Sequence, residues 1–136
     1  MIKVMIGQKG TGKTRRLIEM ANGALAESKG EIVFIDGDNR RMIELNHKIR
    51  FINAKEFKVN DLKVFYGFLS GIIAENYDID QIYIDGLLDI IYENLEGMEQ
   101  FIFDIKKLSD KFDIKFFITM NGNPDSVPAF LKEYIA

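Results

Sequence analysis

Short apolar runs alternate with longer stretches whose apolar residues recur every three or four positions. Ile2–Ile6 is a compact run broken only by Lys3 and followed by glycines, and it predicts a buried strand. Thr14–Ser28 carries Leu17, Ile18, Ala21, Ala24 and Leu25 on one helical face, with Gly30 where a helix stop belongs. Ile32–Ile35 predicts a second strand, and Ile49–Ile52 a short third one whose alternation suits a sheet edge. Asn60–Glu75 predicts a helix capped by Asn60 or Asp61, with Leu62, Phe65, Tyr66, Leu69, Ile72 and Ile73 facing inward. Gln81–Asp85 predicts a fourth strand. Asn94–Phe112 predicts the longest helix, with Leu95, Met98, Ile102, Ile105, Leu108 and Phe112 in helical rhythm. Ile114–Met120 predicts a fifth strand. Val127–Ile135 predicts a closing helix, capped by Asp125 or Ser126, with Pro128 in its first turn.

Strands alternating with helices imply βαβ crossovers and a parallel sheet covered on both faces. The expected fold class is therefore α/β, a three-layer α-β-α sandwich with a mainly parallel sheet of about five strands. Ligands of such sheets sit beyond the carboxyl ends of the strands. That rule directs attention to Gly7–Thr14, Asp36–Arg41, Asp85–Gly86 and Thr119–Asn123.

Composition changes the picture mainly by exclusion. The 136 residues suit one domain, 1–136, and 47% hydrophobic with 29% charged residues excludes a disordered chain. Without cysteine there is no disulfide, thiolate nucleophile or Cys-based metal centre, and the lone His47 suits a surface position. No apolar run approaches the ~20 residues that span a bilayer. The N-terminus lacks a signal-peptide layout. A cytoplasmic bacterial protein is the expectation, and twenty isoleucines with lysine in excess of arginine suit an AT-rich genome. The net charge of −3 divides unevenly: residues 1–68 carry thirteen basic and eight acidic side chains, residues 69–136 five and thirteen. This split suits an anionic ligand held by the N-terminal half, and equally two ordinary solvated faces. The acidic C-terminal half disfavours nucleic acid as a partner.

Candidate chemistry concentrates in Gly7-Gln8-Lys9-Gly10-Thr11-Gly12-Lys13-Thr14. It fits G-x-x-x-x-G-K-[ST] at each fixed position, a match expected by chance in roughly 0.5% of chains this long. Glycines let backbone N–H groups curl around an anion, and the following helix offers its N-terminus to the same anion. A dinucleotide fingerprint fits less well. The glycine spacing is GxxGxG, and Lys13-Thr14 would go unexplained even if Asp36 served a ribose hydroxyl.

Strand, loop and helix resemble a P-loop NTPase with its Walker A motif. The resemblance implies that Gly7–Thr14 bind a nucleotide, with Lys13 on the β- and γ-phosphates and Thr14 on Mg²⁺. It implies a second metal-associated residue, Asp85, ending the apolar strand Gln81–Asp85. The RecA-like branch is favoured. It would put strand Ile114–Met120 between the loop strand and the Asp85 strand, with Thr119 and Asn121 at its end. Asn121 would sense the γ-phosphate, or serve turn chemistry in Asn-Gly-Asn-Pro. Rapidly hydrolysing relatives usually place a Glu after the strand-ending Asp; here Gly86 stands there. The nearest acids are Asp89 on the same segment and Asp36 and Asp38 on the neighbouring strand end. Asp36 is the better candidate catalytic base beside Lys13 and Asp85, or only part of an acidic turn. No arginine finger is assignable. Arg15 and Arg16 suit a solvated helix face, while Arg40 and Arg41 could reach a phosphate or a neighbouring subunit. Gly86–Tyr92 is unusually apolar, suiting core or a partner surface.

The expected function is ATP binding with Mg²⁺ and slow or partner-dependent hydrolysis. GTP is the other candidate nucleotide, but the guanine signature Asn-Lys-x-Asp is absent from the sequence. Asp36-Gly37-Asp38-Asn39-Arg40 is also similar to an acceptor-binding motif of adenylylsulfate kinases, which keeps a small nucleotide or metabolite kinase open. A non-enzymatic, nucleotide-gated interaction module is the third reading. A second copy or a protein partner is expected to complete the site. At whole-chain level the sequence is similar to short stand-alone bacterial P-loop proteins, some named after the twitching-motility ATPase. Likeness to that ATPase covers only Gly7–Thr14 and Asp85, and its motility function does not carry over.

Overall fold

The computed structural model describes residues 1–92 and 95–136. Five strands form one sheet, β1 (Ile2–Gly7), β2 (Glu31–Asp36), β3 (Arg50–Asn53), β4 (Ile79–Ile84) and β5 (Lys115–Asn121). Each pairing is parallel, and the order is β1-β5-β4-β2-β3. The short strand lies at one edge as its alternation predicts, and β5 separates β1 from β4.

Helices cover both faces. Leu17, Ile18 and Ala21 of α1 (Lys13–Ala24) pack with Ile32, Phe34, Tyr83 and Phe117. On the opposite face α2 (Leu62–Glu75) and α4 (Met98–Phe112) bury Phe65, Leu69, Phe101, Ile102 and Ile105 against Val33, Ile35, Ile82, Ile84 and Phe116. Alternate residues of Ile32–Ile35 thus enter opposite cores, which is why that run has no polar position. On the α1 face, Phe51, Phe34, Tyr83 and Phe117 stand in direct register across four strands, with successive ring centroids 6.5, 6.1 and 4.7 Å apart. The Tyr83 hydroxyl, pushed up to about 12 by burial, donates to Gln81 Oε1 at 2.6 Å.

Several expected boundaries are corrected. α1 ends at Ala24, within a stretch containing the poor helix formers Asn22 and Gly23, not at Ser28. Gly30 is therefore no helix stop. A Cβ there would lie 2.0 Å from the Asp78 carbonyl oxygen, so the residue permits close approach of the two strand entries. Asp61, not Asn60, caps α2, accepting from the amides of Lys63 and Val64. α4 begins at Met98 after a 3-10 turn, Leu95–Gly97. The expected start at Asn94, and the side chain of Leu95, fall outside the described residues. The closing helix is instead a pair of 3-10 turns, Pro124–Ser126 and Ala129–Tyr134, the first capped by Asn123. Ile135 then bridges to Val4, covering the outer edge of β1. Gly86–Tyr92 resolves mainly as core: Leu87, Ile90 and Ile91 are buried around the short helix α3 (Leu87–Ile90), and Tyr92 is exposed. Among the described residues no helix is long and apolar enough to cross a membrane.

Candidate functional site

β1 delivers its last residue, Gly7, into a tight loop that opens α1. Gly10 and Gly12 have φ of +84° and +85°, a region that penalises any side chain. Gly12 is the N-cap residue of α1, and no side chain caps the helix. The first turn of this twelve-residue helix holds no acidic residue, so it presents its positive end without internal compensation. Lys13 folds back over the loop: Nζ donates to the carbonyls of Gly7 and Gln8, both at 2.9 Å. The Thr11 hydroxyl donates to the same Gln8 carbonyl at 2.8 Å. A Cβ on Gly7 would lie 3.1 Å from Thr11 Oγ1 and 3.6 Å from Lys13 Cδ, so glycine here lets the lysine stem cross the strand end.

Asp85 follows β4 and is buried. Its Oδ2 accepts from Thr14 Oγ1 at 2.9 Å and its Oδ1 from Thr119 Oγ1 at 2.7 Å. Thr119 Oγ1 accepts in turn from the Gly86 amide at 2.7 Å. One buried hydroxyl on β5 therefore fixes both Asp85 and the turn that follows it. Asp36, the last residue of β2, accepts from the Gly37 amide at 2.6 Å. Burial first, and then the neighbouring Asp85 carboxylate, push its pKa up to about 6. Asp38 is held below its usual range by hydrogen bonds from Arg40, whose Nε lies 3.0 Å away.

These groups share one cleft of about 650 Å³ at the carboxyl ends of the strands. Of the expected site residues, Lys9, Gly10, Gly12, Lys13, Thr14, Asp36, Asp85 and Asn121 line it. Gly7, Gln8 and Thr11 do not; they support the loop through the contacts just described. Asn121 ends β5 in register with Gly7. Arg15 reaches the rim while also pairing with Glu19 at 4.0 Å. Arg40 and Arg41 line the cleft too, but each has an acidic partner, Asp38 at 2.9 Å and Glu44 at 3.2 Å. Arg16 and His47 are exposed and outside it.

Lys55 is the residue that sequence reasoning missed. It lines the cleft just past β3 and passes over Gly37, where a Cβ would lie 3.4 Å from Lys55 Cε. The rule that directs attention to strand ends applies to β3 as well, and would have found it.

Thr14 and Asp85 put two hard oxygen donors side by side, with a third, Asp36, disfavoured in its charged form by burial first and then by Asp85. This donor set suits Mg²⁺, which binds through one or two protein oxygens and completes its shell with phosphate and water. Among the described residues no cluster of three or more acidic or His side chains could hold a metal alone.

The chain matches no protein-family model and no curated protein.

Proposed function

We propose that the protein binds a nucleoside triphosphate, ATP in preference to GTP, with Mg²⁺ in the cleft at the head of α1. The observation that carries this reading is the complete G-x-x-x-x-G-K-[ST] loop between a buried strand and an uncapped helix, with Thr14 hydrogen-bonded to Asp85. In this reading Lys13 leaves the loop carbonyls for the β- and γ-phosphates, and the loop and helix amides cradle the rest of the anion. Thr14 and Asp85 would hold Mg²⁺, which supplies charge neutralisation on the phosphate oxygens. Asn121 lies at the γ-phosphate end in the RecA-like reading of the strand order.

Hydrolysis in this reading is slow or dependent on a partner, because Gly86 occupies the position where a Glu would orient water. Asp36 is the available base: a carboxyl near pH 6 is ionised at neutral pH yet accepts a proton readily. The cleft arginines are tied to acids, so an arginine finger would have to come from a second copy or a protein partner; Lys9 and Lys55 are the cleft's other cations besides Lys13. A cytoplasmic location accords with this function.

Calorimetric titration with ATP, GTP and their diphosphates, with and without Mg²⁺, tests the reading. ATP–Mg²⁺ is expected to bind, and Lys13→Ala to weaken it at least 100-fold with an unchanged circular dichroism spectrum. Unchanged affinity in that variant would overturn the assignment.

A further inference from the structure

A second hollow, of about 490 Å³, lies between the β3–α2 connection and α3, within the size range of small-molecule sites. Its apolar lining is Ala54, Val59 and Ile90, all buried. Tyr92, 62% exposed, offers an aromatic wall. Its polar lining is Lys55, Lys58 and Asn60, and it contains no acid. Among the described residues neither lysine forms a salt bridge, although Lys55 Nζ lies near Gly37 and acts at a distance on Asp38, and with Asp61 capping α2 the Asn60 side chain makes no hydrogen bond.

Two further facts separate this hollow from an ordinary solvated surface. Lys58 has φ 52° and ψ 49°, one of only two non-glycine residues with positive φ among those described. Glycine or asparagine would carry less strain there. And the hollow adjoins the phosphate cleft. Lys55 lines both, and Lys55 and Ile90 meet over Gly37, where a Cβ would lie 3.4 Å from the one and 3.6 Å from the other.

We propose that this hollow binds a small phosphate ester with a flat, apolar body beside the nucleotide. The two ammonium groups take the phosphate as point charges. The ring of Tyr92 and the apolar floor take the body, and Asn60 supplies a hydrogen-bonding edge. The site stands on its own residues; only its relation to a neighbouring triphosphate rests on the nucleotide reading.

Phenyl phosphate is the probe, with inorganic phosphate and phenol as its separate halves. Amide chemical shifts are followed in the wild-type chain and in Lys13→Ala, which removes competition from the phosphate loop. Phenyl phosphate is expected to shift Ala54–Asn60 and Ile90–Tyr92 saturably in both proteins, and to bind at least tenfold more tightly than either half. Lys58→Asn, which suits the left-handed backbone, and Tyr92→Ala should each weaken it at least tenfold while leaving ATP–Mg²⁺ affinity within twofold. Shifts confined to Gly10–Thr14, equal binding by inorganic phosphate, or no saturable shift would overturn the proposal. Failure of ATP to bind would overturn the nucleotide reading and leave this one standing.

Discussion

Asp36 carries the clearest electrostatic consequence of any single residue. Its carboxyl is pushed from 3.8 to about 6 by burial and by Asp85, so the folded chain holds this proton more tightly than the unfolded chain. The stability this represents is full below pH 3.8 and is lost as pH rises through about 6. Asp36→Asn keeps an oxygen to accept from the Gly37 amide and abolishes the charge. At pH 8 the variant should be the more stable protein by on the order of 1 kcal/mol, the shift being discounted for the solvent that reaches the group. The advantage should vanish by about pH 4. Urea denaturation at the two pH values checks this; a difference independent of pH would mean that Asp36 is not strained by its charge. In the nucleotide reading the same substitution slows hydrolysis, so stability and turnover should move in opposite directions.

At the scale of elements, the row Phe51–Phe34–Tyr83–Phe117 joins four strands on the α1 face, with Tyr83 also tied to Gln81. Tyr83→Phe keeps the stack and leaves the buried Gln81 oxygen without its donor. A loss of about 1–2 kcal/mol in urea denaturation is expected. A neutral result would mean that water replaces the hydroxyl. The strands themselves were legible because a parallel sheet buried on both faces needs uninterrupted apolar runs, and Ile32–Ile35 and Ile82–Ile84 supply them. The glycine spacing, Lys13 and Thr14 marked the loop, and the apolar strand before Asp85 marked its neighbour in the cleft. Other features depended on what lies across from them. Gly30 reads as a helix stop until the Asp78 carbonyl is known to face it. Val127–Ile135 reads as a helix because local periodicity carries no information about an open sheet edge, and the exposed edge of β1 claims Ile135. The resemblance already put β5 between β1 and β4 with Thr119 at its end, but not the bond from Thr119 to Asp85, which depends on the register of segments more than thirty residues apart.

Across the whole molecule, the uneven charge distribution converges on the cleft. Lys9, Lys13, Arg15, Arg40, Arg41 and Lys55 reach it from the first 55 residues, together with the acids Asp36, Asp38 and Glu44, while the second half contributes only the acids Asp85 and Asp89 among its charged groups. A triphosphate with Mg²⁺ would therefore join both halves: its phosphates to the basic loop and helix, its metal to Thr14 from one half and Asp85 from the other. Such a ligand binds only the folded chain, so its affinity adds directly to global stability. At 100 times its Kd, ATP–Mg²⁺ should add about 2.7 kcal/mol and raise the melting temperature by on the order of 10 °C. Lys13→Ala should remove most of it, leaving at most about 0.4 kcal/mol for a roughly 100-fold loss of affinity. Asp85→Asn should lose the part that depends on Mg²⁺ and keep the part given by ATP alone, because the loop and Lys13 are intact. Thermal melts of the three proteins with ATP, with and without Mg²⁺, separate these contributions. Equal Mg²⁺ dependence in wild type and Asp85→Asn would remove Asp85 from the metal site, even if the loop still held the nucleotide.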